Sequence, residues 1–152
     1  MEIFRIDKAH FDKTKNEIRA LIQETMIYNF PNTVIEDTYY EDILSKLGNY
    51  IVDGSAVVFL AVEEQAVLGW IWCHSIQRLN EKRLHVANFA VSKASRKKGV
   101  GSLLIKAAEK FAKENIYCAL DLLVTRDNIS AVSFYQSHGY EVERYLLRKE
   151  IE

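Results

Sequence analysis

Phe89-Ala90-Val91-Ser92-Lys93-Ala94-Ser95-Arg96-Lys97-Lys98-Gly99-Val100-Gly101-Ser102 changes its period partway through. Up to Val91 it reads as an apolar strand. From Val100 onward the apolar residues recur as Val100, Leu103, Leu104, Ala107, Ala108, Phe111 and Ala112, which is one face of an amphipathic helix. Between the two lies a basic turn containing Gly99 and Gly101. A strand, a glycine-bearing basic turn and a helix together suit a phosphate. The first helical turn has unpaired N–H groups and the positive end of the macrodipole, and glycine lets an anion come close to that backbone. Arg96, Lys97 and Lys98 add positive charge. A Walker loop is excluded, because no Lys-Ser or Lys-Thr pair follows either glycine. A dinucleotide fingerprint is excluded too: it needs a third glycine and an early strand, whereas this strand comes late.

Upstream, Glu2–Asp7 alternates as a first strand, and Lys8–Tyr28 carries Phe11, Ile18, Leu21 and Ile22 at helical spacing. Ile35–Leu47 is predicted as a second helix stopped by Gly48 and Asn49. Ala56–Val62 and Ala66–Gln77 read as a hairpin across Glu63-Glu64-Gln65, and Arg83–Val91 extends the meander. Downstream, Tyr117–Val124 is strand-like, Ile129–Gln136 is helix-like, and Tyr140–Ile151 alternates as a closing strand or hairpin.

Two segments carry a family resemblance. Arg96-Lys97-Lys98-Gly99-Val100-Gly101 resembles the R/Q-x-x-G-x-G/A pyrophosphate loop of the GNAT acetyltransferases. Asn128-Ile129-Ser130-Ala131-Val132-Ser133-Phe134-Tyr135-Gln136-Ser137-His138-Gly139-Tyr140 resembles that family's N-x-x-A-x-x-F-Y-x-x-x-G-F/Y segment. The pair, a helix and a strand apart, is far more specific than either alone. Residues 1–80 match only in the order of elements. The resemblance implies an α/β fold over residues 1–152 as one domain, with a mixed, mostly antiparallel sheet of about six or seven strands and about four helices. It implies a splay between the strands ending at Val91 and Val124 that admits the pantetheine arm of acetyl-CoA.

The resemblance also implies site residues. Phe89, Ala90 and Val91 would face the pantetheine, and Arg96, Lys97, Lys98, Gly99, Val100, Gly101 and Ser102 the pyrophosphate. Asn128 would contact the arm or the adenosine side. Tyr135 would protonate the departing thiolate, since a phenol with a pKa of about 10 is protonated at neutral pH. Where many family members carry a glutamate base, this chain has Ala87 and Leu123. His85 is therefore the leading base, with Asn88 through a water, Asp121 and His74 beside it. The implied activity is acetyl transfer from acetyl-CoA to a primary amine of a small molecule or peptide, by direct attack. The alternative is a silent acyl-CoA-binding or sensing module of the same fold. Trp70, Trp72, Tyr28, Phe30, Tyr39 and Tyr40 are candidates to line the acceptor site, although aromatics at this spacing usually form core.

Composition narrows the rest. Lysine and arginine number 20 against 21 acidic residues, giving a net charge of -1 and no global field for nucleic acid or a membrane surface. Cys73 and Cys118 lie in apolar runs without metal-ligand spacing, so reduced buried thiols and no metal site are expected. The charged start, Met1–His10, lacks a signal peptide's apolar core, and a cytoplasmic protein is the expectation. The closing segment leaves room for a homodimer through that edge.

Overall fold

The computed structural model describes residues 1–152. The elements run β1 (Glu2–Arg5), α1 (Lys8–Asn29), α2 (Asp37–Val52), β2 (Ala56–Glu63), β3 (Ala66–Arg78), β4 (Glu81–Val91), α3 (Val100–Glu114), β5 (Ala119–Leu122) and α4 (Ile129–Ser137). One 3-10 turn, Lys93–Ser95, lies between β4 and α3. The sheet is five-stranded in the order β1-β2-β3-β4-β5. Every pairing is antiparallel except β4 with β5, which is parallel. No helix is long and apolar enough to cross a membrane.

Alternation along β3 explains the two layers. Trp70 faces α1 and α2, where it packs with Phe11, Ile18, Ile22, Leu44 and Leu47. Ile71 and Cys73 face α3, where they meet Leu84, Val100, Leu104 and Ala108. The helices supply matching stripes: Phe11, Ile18, Leu21 and Ile22 on α1, and Val100, Leu104, Ile105, Ala108 and Ala112 on α3 are buried. Asp7 caps α1 by accepting from the His10 N–H, and Asn128 caps α4 by accepting from the Ala131 N–H.

Four expectations are corrected here. The sheet has five strands rather than six or seven. Tyr140–Ile151 forms no strand, because the Glu143 carboxylate is held by Arg83 and the chain beyond it pairs with nothing in the sheet. Gly48 does not stop α2. It lies inside that helix, where an added Cβ would press on the Phe11 ring at 3.3 Å, so its bare Cα is what lets α1 and α2 pack closely. Cys118 is exposed rather than buried, since it precedes the short edge strand β5.

The β3–β4 pairing carries one irregularity. Trp72 pairs with Asn88 and Cys73 with Val86, leaving Ala87 as the extra residue of a bulge. A one-residue insertion reverses alternation, so Asn88 joins His85 on the face toward α1 and α2. Close by, β3 and β4 meet α3 very tightly at Gly69, where a Cβ would stand 2.8 Å from the Ala90 carbonyl and 3.2 Å from Leu104 Cδ1.

Two predictions follow from this packing. Gly69→Ala must push β3 from β4 and is expected to lower the urea-unfolding free energy by about 1–3 kcal/mol. Burial pushes the Cys73 thiol up to about 12, whereas Cys118 is exposed. Native protein should therefore release one equivalent of chromophore from an aromatic disulfide reagent, rising to two in denaturant; two fast thiols in the native state would contradict this packing.

Candidate active site

β4 and β5 part company midway. Their pairing runs from Arg83 with Ala119 to Val86 with Leu122 and stops there, while β4 continues through Ala87 to Val91. Beyond the last pair Leu123 is 81% exposed, so β5 turns away and a slot opens along the free edge of β4. The backbone direction there follows from two bonds. The Ser92 N–H donates to the Leu68 carbonyl across β3, and alternation then turns Val91 and Phe89 toward the slot. The Val91 carbonyl accepts from Arg96 Nε at 3.1 Å, which confirms that it points away from β3.

The slot leads to the basic turn. Ser95 is buried and accepts from Ser92 Oγ at 2.9 Å, fixing the 3-10 turn that follows β4. Lys97 (φ 60°) and Gly99 (φ 81°) both take left-handed backbone, the conformation that folds the chain tightly onto the start of α3. Lys97 and Lys98 are exposed at that helix N-terminus. Arg96 is differently placed: its guanidinium reaches Glu24 on α1 at 2.7 Å and the Val91 carbonyl, so it ties the turn to α1 instead of standing free as a mobile cation. Gly101 is a packing glycine as well as an approach point, because a Cβ would meet Phe134 at 3.3 Å and Phe89 at 3.4 Å.

α4 closes the other side. Asn128 Oδ1 caps the helix and its Nδ2 donates to Asn29 Oδ1 at 3.0 Å, joining the end of α1 to the start of α4. Phe134 stacks against Phe89, and Tyr135 stands in an aromatic cluster with Phe89, Phe134 and Tyr140. Burial pushes the Tyr135 phenol well above the ordinary phenol range, with nearby Cys73 adding to the shift, so the hydroxyl keeps its proton at any physiological pH. One contact escaped sequence reasoning. His138 Nε2 lies 3.0 Å from Ser102 Oγ, and its Nδ1 lies 2.8 Å from the Phe134 carbonyl, bracing the first turn of α3 from α4. Its only sequence signal is its position just before Gly139 in the second motif.

The opposite face holds the candidate base. His85 Nδ1 is 2.7 Å from Asp121 Oδ1, its neighbour across the parallel β4–β5 ladder. An ionised carboxylate only accepts, so Nδ1–H donates, and in the neutral ring Nε2 carries the lone pair. The His74 ring lies 5.3 Å from that of His85, on the adjacent strand. Arg83 backs Asp121 at 3.4 Å. Trp70 Nε1, Trp72 Nε1 and Asn88 Oδ1 share this face, and all three are buried without a hydrogen-bond partner. Tyr28, Phe30 and Tyr39 are exposed at the α1 and α2 ends, while Tyr40 is buried in the core. The structure thus sets Tyr135 and His85 on opposite faces of β4, flanking the slot.

Comparison with known proteins agrees with this architecture. The model of the Acetyltransferase (GNAT) family matches residues 16–140. Streptothricin acetyltransferase A of Bacillus subtilis is 39% identical over 93 residues, covering 60% of this chain and 51% of that protein. The chain thus spans about half the length of that relative. A Pyrococcus furiosus protein described as an acetyl transferase superposes with a TM-score of 0.76 at 28% identity, covering 99% of this chain and 100% of that one. An aminoglycoside acetyltransferase from an uncultured soil metagenomic sample, solved with sisomicin, gives a TM-score of 0.73 at 18% identity over 99% of this chain and 95% of its own, which shows the shared fold alone. With the family model spanning both motifs and the slot between them, the chain belongs to the GNAT family of acetyltransferases.

Proposed function

We propose that this protein transfers the acetyl group of acetyl-CoA to a primary amine on a small molecule or peptide, by direct attack. The observation that carries this reading is the slot: β4 keeps an unpaired backbone edge from Ala87 to Val91, and that edge ends at a glycine-bearing basic turn on a helix N-terminus. These residues fit the co-substrate. The backbone groups of Phe89 and the Val91 N–H can pair with amides in the slot, Ala90 lies between them, and Lys97 to Ser102 offer N–H groups and two cations to a pyrophosphate. Asn128 and Arg96 position the walls through Asn29 and Glu24.

Bound acetyl-CoA would supply an acyl group already activated toward amines. Tyr135 Oη holds a proton it can hand to a sulfur leaving group, and burial keeps that proton in place. His85 Nε2 can take the proton an attacking amine must lose, with Asp121 fixing the ring orientation. The size of that task depends on the acceptor. A lysine-like amine with a pKa of about 10.4 costs roughly 4–5 kcal/mol to hold neutral at pH 7, while an amine near pKa 8 costs only about 1–2 kcal/mol. The His85–Asp121 pair supports catalysis over a silent acyl-CoA module, and a backbone N–H near Val91 would hold the oxyanion.

Calorimetric titration tests the co-substrate site. Native protein should bind acetyl-CoA, and Lys97→Ala with Lys98→Ala should weaken binding by about tenfold or more without lowering the Tm. No binding by well-folded native protein would remove the acetyltransferase reading.

Thiol release with an amine panel that includes streptothricin and sisomicin tests the chemistry. Tyr135→Phe should lower kcat by about a hundredfold or more at little change in KM for acetyl-CoA. His85→Gln should lower kcat/KM most at neutral pH, and the deficit should shrink as rising pH deprotonates the amine unaided. A pH-independent deficit would mean that His85 is not the base.

A further inference from the structure

Of the four histidines, His138 alone hydrogen-bonds to α3, and acetyl transfer as proposed above leaves it without a task. Both of its ring nitrogens are engaged. Nδ1 lies 2.8 Å from the Phe134 carbonyl, which can only accept, so Nδ1 carries a hydrogen. Nε2 lies 3.0 Å from Ser102 Oγ, and that hydroxyl has no other hydrogen-bond partner in the protein. The Phe134 ring packs against the imidazole, with the two centroids 4.3 Å apart.

Ser102 stands where an anion would meet α3. The Leu103 N–H makes the first helical bond, to the Gly99 carbonyl, so the N–H groups of Val100, Gly101 and Ser102 have no helical partner. Cα–Cβ bonds tilt toward a helix's N-terminus, and the Ser102 hydroxyl therefore leans to the same open end. The charge of His138 decides what that hydroxyl offers there. With a neutral ring, Nε2 has only a lone pair, so Ser102 must donate to it, and only lone pairs of the oxygen face an approaching anion. With a protonated ring, Nε2–H donates and Ser102 Oγ accepts, which frees the hydroxyl hydrogen for a phosphate oxygen. One proton from solvent thus reverses the bond and turns a repulsive group into a donor backed by positive charge.

We propose that His138 is a positioning residue for the pyrophosphate of acyl-CoA, which binds with uptake of a proton at His138 Nε2 and reversal of the Ser102–His138 hydrogen bond. The inference rests on the acetyl-CoA site proposed above. Linkage fixes its sign: a ligand that favours the charged ring binds tightly at low pH and more weakly as rising pH removes the proton. Few other charges face the ring. α4 carries none, and β4 presents Phe89 to it. On α3, Lys106 is exposed one turn beyond Ser102, and the Glu109 carboxylate further along accepts from the Tyr140 hydroxyl. Lys97 and Lys98 precede the helix, and lysines keep their charge through neutral pH. Burial holds the protons of Tyr135 and Tyr140 in place. Imidazole is the group on this side whose charge changes near neutral pH.

Calorimetric titration with acetyl-dephospho-CoA tests the coupling, because this ligand keeps the pyrophosphate but lacks the phosphate monoester, whose own second pKa is about 6. Buffers of differing ionisation enthalpy, over about pH 6 to 8, count the protons exchanged. Native protein should take up a fraction of a proton near neutral pH, and its affinity should fall by about tenfold across that range. His138→Gln, neutral but able to reach Ser102, should bind at the weaker affinity throughout and lose the uptake. Ser102→Ala should lose it as well; uptake that survives Ser102→Ala means that the ring acts by charge alone and overturns the bond reversal. A mere brace between α3 and α4 would alter Tm and affinity in the variants but give the native protein no proton uptake. Native binding without uptake overturns the proposal and leaves the acetyltransferase reading standing, whereas folded native protein that binds no acetyl-CoA removes both.

Discussion

The site depends on one interrupted ladder. β4 and β5 share hydrogen bonds only as far as Val86 and Leu122, and the bulge at Ala87 sits immediately beyond that last pair. A parallel strand that kept pairing would satisfy the β4 backbone to Val91 and leave no slot. Stopping it leaves outward-facing N–H and C=O groups that must find partners in water or in a ligand, because unpaired buried backbone is too costly to persist. In the proposed function, recognition of an amide-bearing arm would be a by-product of incomplete sheet formation. The rest of the fold holds that incompleteness in place: Gly69 clamps β3 to β4 from one side, and Phe89, Phe134 and Gly101 pack the α3 and α4 ends against the other.

The same bulge sorts the chemistry by face. Without the extra residue, Asn88 would point toward α3 and Tyr135; with it, Asn88 stands beside His85 on the α1 and α2 face. The His85 imidazole and the protonated Tyr135 phenol thereby approach β4 from opposite sides. In the proposed reaction each would meet a different partner, the amine on one side and the leaving group on the other.

Much of this was legible in the sequence, and the reasons differ by element. The turn at Arg96–Gly101 and the Asn128–Tyr140 segment are local: their chemistry is written in consecutive residues, so order and spacing reveal it. The His85–Asp121 pair is not local. Thirty-six positions separate its members, and only the parallel register brings them to 2.7 Å. Arg96 reads as one of three free cations, but its partner Glu24 lies 72 residues away on a helix that shows no pattern pointing to the turn. Gly48 reads as a helix stop because glycine usually is one; the Phe11 ring that requires it belongs to another helix. Tyr140–Ile151 reads as a closing strand or hairpin, yet no strand forms there, because a residue pattern carries no information about whether a neighbouring edge is within reach.

Arg83 connects that last segment to the candidate base. Its single positive charge is shared among Glu81, Asp121 and Glu143, with the two glutamates closer than Asp121. The guanidinium in turn holds the Glu143 carboxyl below the ordinary carboxylate range. Were Glu143 withdrawn, Arg83 would be freer to turn toward Asp121 and compete with His85 for the carboxylate. An Asp121 drawn to arginine would hold the imidazole less firmly in its present orientation. The position of the chain at Glu143 therefore does two things at once. It sets the following residues outside the sheet, and it keeps Arg83 occupied while Asp121 stays bonded to His85.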